Sequence, residues 1–265
     1  MENAQAAVMN VASMVVGQYY MNQITLHMTA ISVSLEKLLE IEEIKYKSEV
    51  ETLLESVFET AQFQIASIEN EELRNREANK IQNKKNKCQN LLNQAENHLN
   101  NLLNKKITTF IDYEKSTVNI EKWKSYTQIL IDLFYKIDVL DFAIHKGQKS
   151  KEQCFKTYEL HKNNAIEIKN QLIAWHNVQQ EHFDIDLENN RVAHDGFLSL
   201  IKKPISIIND DWNYKKLKSK TKHMILNQIE NDVEQSKEFD NLFEKDIQII
   251  IKEGKYYYLP NNTDI

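Results

Sequence analysis

A chain of 265 residues has room for one large domain or two small ones, and 33 Lys+Arg against 39 Asp+Glu leave a formal net charge of −6. With only 4 Gly and 2 Pro there are too few turn formers for β-sandwiches, barrels or α/β folds, so long helices remain. The charge is spread rather than blocked, which argues against a polyanion binder, and the 2 Cys (Cys88 and Cys154) lack metal-ligand spacing.

From Asn3 to Leu35 the sequence contains no Asp, Glu, Lys or Arg, a run of 33 residues in a chain that is 27% charged. At that charge fraction a given window of this length is free of charge only on the order of three times in 100,000. Something excludes charge from this arm, either a protein core or a lipid phase. Its first part, to Met21, sets Ala7, Val8, Val11, Ala12, Val15, Val16 and Tyr19 along one helical stripe. Ser13 and Gly17 form a small-xxx-small pair that permits close helix approach. The most apolar stretch, Ala6 to Met21, is shorter and more polar than a single membrane span requires. Met-Glu-Asn at the start lacks the basic region of a secretory signal. The expected location is cytoplasmic, with membrane association only on activation.

Beyond Gly17, Ile24, Met28, Ile31, Leu35 and Leu38 follow the alternating +4/+3 spacing of a packed helix seam. After a polar stretch at Glu42 to Ser48, Val50, Leu54, Val57, Ala61, Ile65 and Ile68 continue it. A turn is expected near Asn70 to Glu77. The next helix carries Cys88, Leu92, Ala95, Leu99 and Leu102, and a break is expected near Lys105 to Thr109. A third long helix holds Trp123, Tyr126, Leu130, Leu133, Ile137, Leu140 and Ile144, stopping at His145-Lys146-Gly147.

Ser150 to Gln153 reads as a capping box. The helix behind it has the cleanest repeat in the chain: Cys154, Tyr158, His161, Ala165, Ile168, Leu172 and Trp175. From Asp184 to Leu217 periodicity degrades, and a short helix, a break at Pro204 and an irregular connector are expected. A last helix presents Ile225, Ile229 and Val233, and residues 246–260 read as a β-hairpin turning at Glu253-Gly254. The fold class is therefore all-α: an elongated bundle of five to six unequal long helices with a small C-terminal β-hairpin. Three blocks are expected to form one structural unit: a bundle over 1–182 with its arm at 3–35, a connector with the last helix over 183–245, and the hairpin.

Little in the sequence points to chemistry. None of the eight histidines has Glu three residues before it, and no His-x-x-x-His pair occurs, so the common helical metal sites are not encoded. Nucleotide-binding glycine patterns and the Gly-x-Ser-x-Gly motif are missing as well. No cofactor, metal or catalytic residue is expected. Arg191, His194 and Asp195 would share a face if helical and are the one candidate for a hydrolase-type acid/base cluster. A histidine at a helix end with a solvated neighbour is the favoured alternative. Trp175-His176 reads as core packing beside a surface histidine, and His161 as a polar seam residue.

Two lysine-rich runs stand out. Lys80 to Lys87 is one; the other is Lys215, Lys216, Lys218, Lys220 and Lys222, preceded by Trp212 and Tyr214. Such runs can contact an anionic surface, although a solvated helix face is the favoured reading.

Val15-Val-Gly-Gln-Tyr-Tyr-Met21, Ala174-Trp-His176 and Lys252-Glu-Gly-Lys-Tyr-Tyr-Tyr-Leu-Pro260 resemble motifs of uncharacterised bacterial all-helical proteins. That resemblance implies a helical architecture and transfers no catalytic residues. The plan of an apolar arm on long helices is also similar, in architecture, to α-helical pore-forming toxins. The expected function is a non-enzymatic helical interaction or self-assembly protein acting through Val8, Val11, Ala12, Val15, Val16, Gly17, Tyr19, Tyr20 and Met21. The alternative is a membrane-active toxin or cell-suicide effector that uses the same arm. The expected partner is a protein or a second copy of the chain; a membrane surface is the alternative and nucleic acid is disfavoured.

Overall fold

The computed structural model describes residues 31–33, 44–67, 70–145, 148–194, 214–230, 248–252 and 255–259. Helices dominate: α1 (Ile44–Ser67), α2 (Glu71–Leu103), α3 (Phe110–Ile144), α4 (Lys151–Phe183) and α5 (Ser219–Glu230). Strands β1 (Ile185–Asp186), β2 (Arg191–Ala193) and β3 (Tyr214–Lys216) form one antiparallel sheet in that order. Strands β4 (Gln248–Lys252) and β5 (Lys255–Leu259) form a separate antiparallel pair with Ile250 opposite Tyr257. The chain is all-α with a small C-terminal hairpin, as its glycine and proline poverty requires.

Helix starts follow side-chain chemistry. Asn70 Oδ1 accepts from the amides of Glu72 (3.0 Å) and Leu73 (3.2 Å), and so caps α2. The turn expected near Asn70 to Glu77 falls at the start of that run: α1 ends at Ser67 and α2 begins at Glu71, so NEELRNRE is a cap followed by a solvated first turn. Thr109 Oγ1 caps α3 by accepting from the Asp112 amide at 3.1 Å. Ser150 and Gln153 make the reciprocal capping box, with the Gln153 amide on Ser150 Oγ at 3.2 Å and the Ser150 amide on Gln153 Oε1 at 3.0 Å. The break between α2 and α3 falls at residues 104–109 and covers the expected range, Lys105 to Thr109.

The chain divides into two compact units. Unit 1 comprises Met1–Asn93, Gln128–Lys162 and Glu234–Ile265; unit 2 comprises Gln94–Thr127 and Asn163–Val233. In unit 1, α3 is buried on every side from Leu133 to Asp141, so it serves as a central helix rather than an amphipathic one. That burial forces its charged residues into pairs. Asp138 Oδ1 lies 2.6 Å from Lys85 Nζ, which also donates to the Cys154 carbonyl at 2.6 Å. Asp141 takes Lys149 at 3.2 Å. Tyr46 donates to the Leu91 carbonyl at 2.7 Å and ties α1 to α2. Cys88 and Cys154 are both buried, free thiols.

Unit 2 is centred on aromatic rings. Tyr113 lies 5.3 Å from Trp175 and 6.0 Å from Phe183, and Phe110 meets Phe183 edge-on at 6.0 Å. The small sheet also belongs here. Residues 185–193 form its first two strands, where an irregular connector was expected. Strands of two or three residues are too short to carry a period. Asp184 (φ 48°) and Asn190 (φ 54°) adopt left-handed backbone before β1 and β2, a region that Asp and Asn tolerate better than most residues.

Candidate functional site

Unit 2 holds a groove of about 860 Å³ between the end of α2, the following loop and one face of α4. Gln171, Trp175, Val178 and His182 fall on that face at spacings of four, three and four residues. Leu103 and Ile107 supply the facing apolar wall. Val178 is 59% exposed, a high value for a large aliphatic side chain. Lys105, Lys106 and His182 contribute the ionisable groups of the lining, which contains no carboxylate.

Two buried polar atoms at this wall are unsatisfied among the described residues: the Trp175 indole Nε1, a donor, and Gln179 Oε1, an acceptor. Native proteins leave few such atoms, and each normally has a reason. The wall is tied into the core of unit 2. Trp175 is packed by Tyr113, and directly behind it His176 anchors a chain of hydrogen bonds. His176 Nδ1 meets the Tyr113 hydroxyl at 2.8 Å, and His176 Nε2 meets Gln228 Oε1 at 2.9 Å. The Gln228 amide donates to the Thr117 carbonyl (2.9 Å) and to Glu121 Oε2 (2.8 Å). Burial lowers the His176 pKa to about 4, while the same burial pushes the Tyr113 hydroxyl up. The imidazole is neutral and fully buried. The surface histidine expected beside Trp175 is corrected on this point; Trp175 is core as expected.

The hydrolase-type cluster does not keep the helical geometry assumed for it. Arg191 is in β2, where Nε donates to Asp186 Oδ2 at 3.0 Å and the guanidinium stacks 4.4 Å over the Tyr214 ring. Bonds from the Asn189 backbone and side chain, with Arg191 adding to them, hold the Asp186 carboxyl down at about 2. His194 is half-buried just past the strand; Asp195 lies outside the described residues.

The second lysine run is divided among several contacts. Tyr214 donates to Asp184 Oδ2 at 2.5 Å, Lys215 sits 5.0 Å over the Phe110 ring, and Lys218 reaches Glu114 at 3.0 Å. Lys216 and Lys220 are exposed and Lys222 is half-buried, so the run presents no single face; Trp212 lies outside the described residues. Lys80 to Lys87 divides as well. Lys85 turns into the core of unit 1, and Lys80, Lys84 and Lys87 line a shallow cleft against α1.

The arm residues Val8 to Met21 lie outside the described residues. At the arm's far end Ile31 is buried and Val33 is 45% exposed. Among the described residues no group of three or more His, Cys, Asp or Glu could hold a metal, and no helix is long and apolar enough to cross a membrane.

The groove escaped the sequence reading, although one signal was available: a helix break just after Leu103, together with the Trp175–Val178 face of the cleanest repeat. Gln228 could not be tied to His176 from sequence, because the pair is separated by 52 residues. No protein-family model, curated protein or solved structure matches this chain.

Proposed function

We propose that this chain is a non-enzymatic helical protein that works by association, with a protein partner or a second copy of itself. The observation that carries this reading is the unit 2 groove: an aliphatic wall open to water, two unsatisfied buried polar atoms, and a rim of Lys105, Lys106 and His182 without a carboxylate. A partner surface that carries carboxylates is complementary to such a rim. The uncharged run Asn3–Leu35 supplies a second contact surface in the same reading.

Light scattering on the full chain across protein concentration tests this. The mass is expected to rise above 31.3 kDa with concentration, to fall in high salt, and to shift toward monomer in Val178→Asp. Val178 is exposed, so this variant keeps its helical circular dichroism. A strictly monomeric wild type at every concentration overturns self-association. The second reading, a membrane-active toxin or cell-suicide effector, rests on the absence of charge from residues 3–35.

A further inference from the structure

We infer that the cleft between α1 and α2 in unit 1 is a binding site for a phosphoryl group, with Lys84 as its central cation and serine hydroxyls of α1 as its neutral donors. Lys80, Lys84 and Lys87 recur at +4 and +3 along α2, so all three ammonium groups fall on one helix face. Like charges so spaced repel unless an anion lies among them. Two have their own carboxylates: Lys80 bonds Glu77 at 2.6 Å, and Lys87 bonds Glu49. Lys84 makes no hydrogen bond or ion pair among the described residues, and it is half-buried. Desolvation and the neighbouring Lys80 both lower its pKa, against the pull of Glu77 and Glu59. A half-buried ammonium without a partner is the group that gains most from a bound anion.

The opposite wall carries Ser48, Thr52 and Ser56 at successive +4 positions of α1, together with Leu53 and with Glu49, whose carboxylate is taken by Lys87. Thr52 Oγ1 donates to the Ser48 carbonyl at 2.8 Å and is already committed. The Ser48 and Ser56 hydroxyls donate to nothing among the described residues and can turn toward an oxygen of the ligand. The Asn83 side-chain amide adds another donor on the lysine side. At about 440 Å³ the cleft is large enough for phosphate or the head of a phosphomonoester, and it is open on one side. Lysine grips phosphate as a point charge and hydroxyls complete the shell; both are present here, and the one carboxylate of the lining, Glu49, is neutralised by Lys87. This inference uses unit 1 alone and does not depend on the groove of unit 2.

Sodium phosphate titrated calorimetrically into the full chain, with sodium chloride holding ionic strength constant, tests it. Wild type is expected to bind at one saturable site. Lys84→Gln is expected to weaken binding at least tenfold and Ser56→Ala about threefold, with Lys220→Gln unchanged. Absence of saturation, or equal losses in Lys84→Gln and Lys220→Gln, overturns the site. Cosedimentation with phosphatidic acid vesicles, against phosphatidylcholine alone, distinguishes the sources. Retention that Lys84→Gln abolishes and free phosphate competes away identifies a lipid headgroup. Calorimetric binding without retention identifies a free phosphoryl ligand. Circular dichroism of each variant separates loss of binding from loss of fold.

Discussion

The Tyr113 hydroxyl lies 2.8 Å from His176 Nδ1, and the roles in that bond are set at the far side of the ring. Gln228 must present its carbonyl to His176 Nε2, because its amide nitrogen is occupied by Thr117 and Glu121. Nε2 therefore carries the proton, Nδ1 accepts, and Tyr113 donates. Every heteroatom of the imidazole is satisfied while it is neutral, and protonation would place a second donor against the Tyr113 hydroxyl.

A pH dependence follows from that arrangement. The folded pKa of His176, about 4, lies below the ordinary value near 6.5, so the unfolded chain takes up a proton before the folded chain does. This contribution to stability is complete above pH 6.5 and is lost as pH falls toward 4, amounting to about 3 kcal/mol over that window. Urea unfolding followed by circular dichroism should show a steeper loss for wild type than for His176→Gln between these limits. Equal slopes would sink the assignment. Tyr113→Phe leaves Nδ1 buried without a donor and is expected to cost about 1–3 kcal/mol at pH 7.

In unit 1 the corresponding constraint is the Lys85–Asp138 pair. Burial raises the Asp138 carboxyl above the usual carboxylate range, and the Lys85 ammonium opposes that shift. Asp138 Oδ2 has no hydrogen-bond partner among the described residues, which leaves Lys85 as its principal compensation. Lys85→Met is expected to destabilise by about 3–5 kcal/mol, and Lys85→Met with Asp138→Leu by much less. Lys151→Met, at an exposed position, provides the comparison in urea midpoint. A Lys85→Met effect no larger than that of Lys151→Met would mean that the pair carries no stability.

The capping box at Ser150–Gln153 gives a more local expectation. Ser150→Ala removes the acceptor of the Gln153 amide and should cost about 1 kcal/mol. Amide exchange should rise in the first turn of α4 and stay unchanged in α3. Uniform acceleration across both helices would instead assign Ser150 a tertiary role.

Local chemistry was legible in this sequence wherever it repeats or caps. The Cys88–Leu99 and Trp123–Ile144 seams are buried as their spacing requires, and the capping box opens α4. Pairing at a distance was not legible. The all-round burial of α3 depends on what packs against it, and so does the turn of Lys85 toward Asp138, 53 residues away. The helix assumed for Arg191 failed because a three-residue strand is specified by its neighbours: Ala193 pairs with Tyr214 across a long intervening segment. Polar runs are ambiguous for a related reason. NEELRNRE is too polar to mark a buried face, and it is helical because Asn70 caps it.

Residues 3–35 carry no charge, yet the stretches Ala4 to Met21 and Ile24 to Leu35 are each too short or too polar to span a bilayer alone. Under the association reading the arm meets protein, so wild type should leave dye-loaded liposomes intact. Val15→Asp with Val16→Asp should then lower the mass seen by light scattering and leave helicity unchanged, because a charge at a protein contact costs desolvation without a partner. Leakage by wild type that the double variant loses would overturn association as the sole function and establish the membrane reading. Unfolding of the double variant, with no leakage by either protein, would make the arm part of the chain's own core, and association would then rest on the groove at Val178 alone.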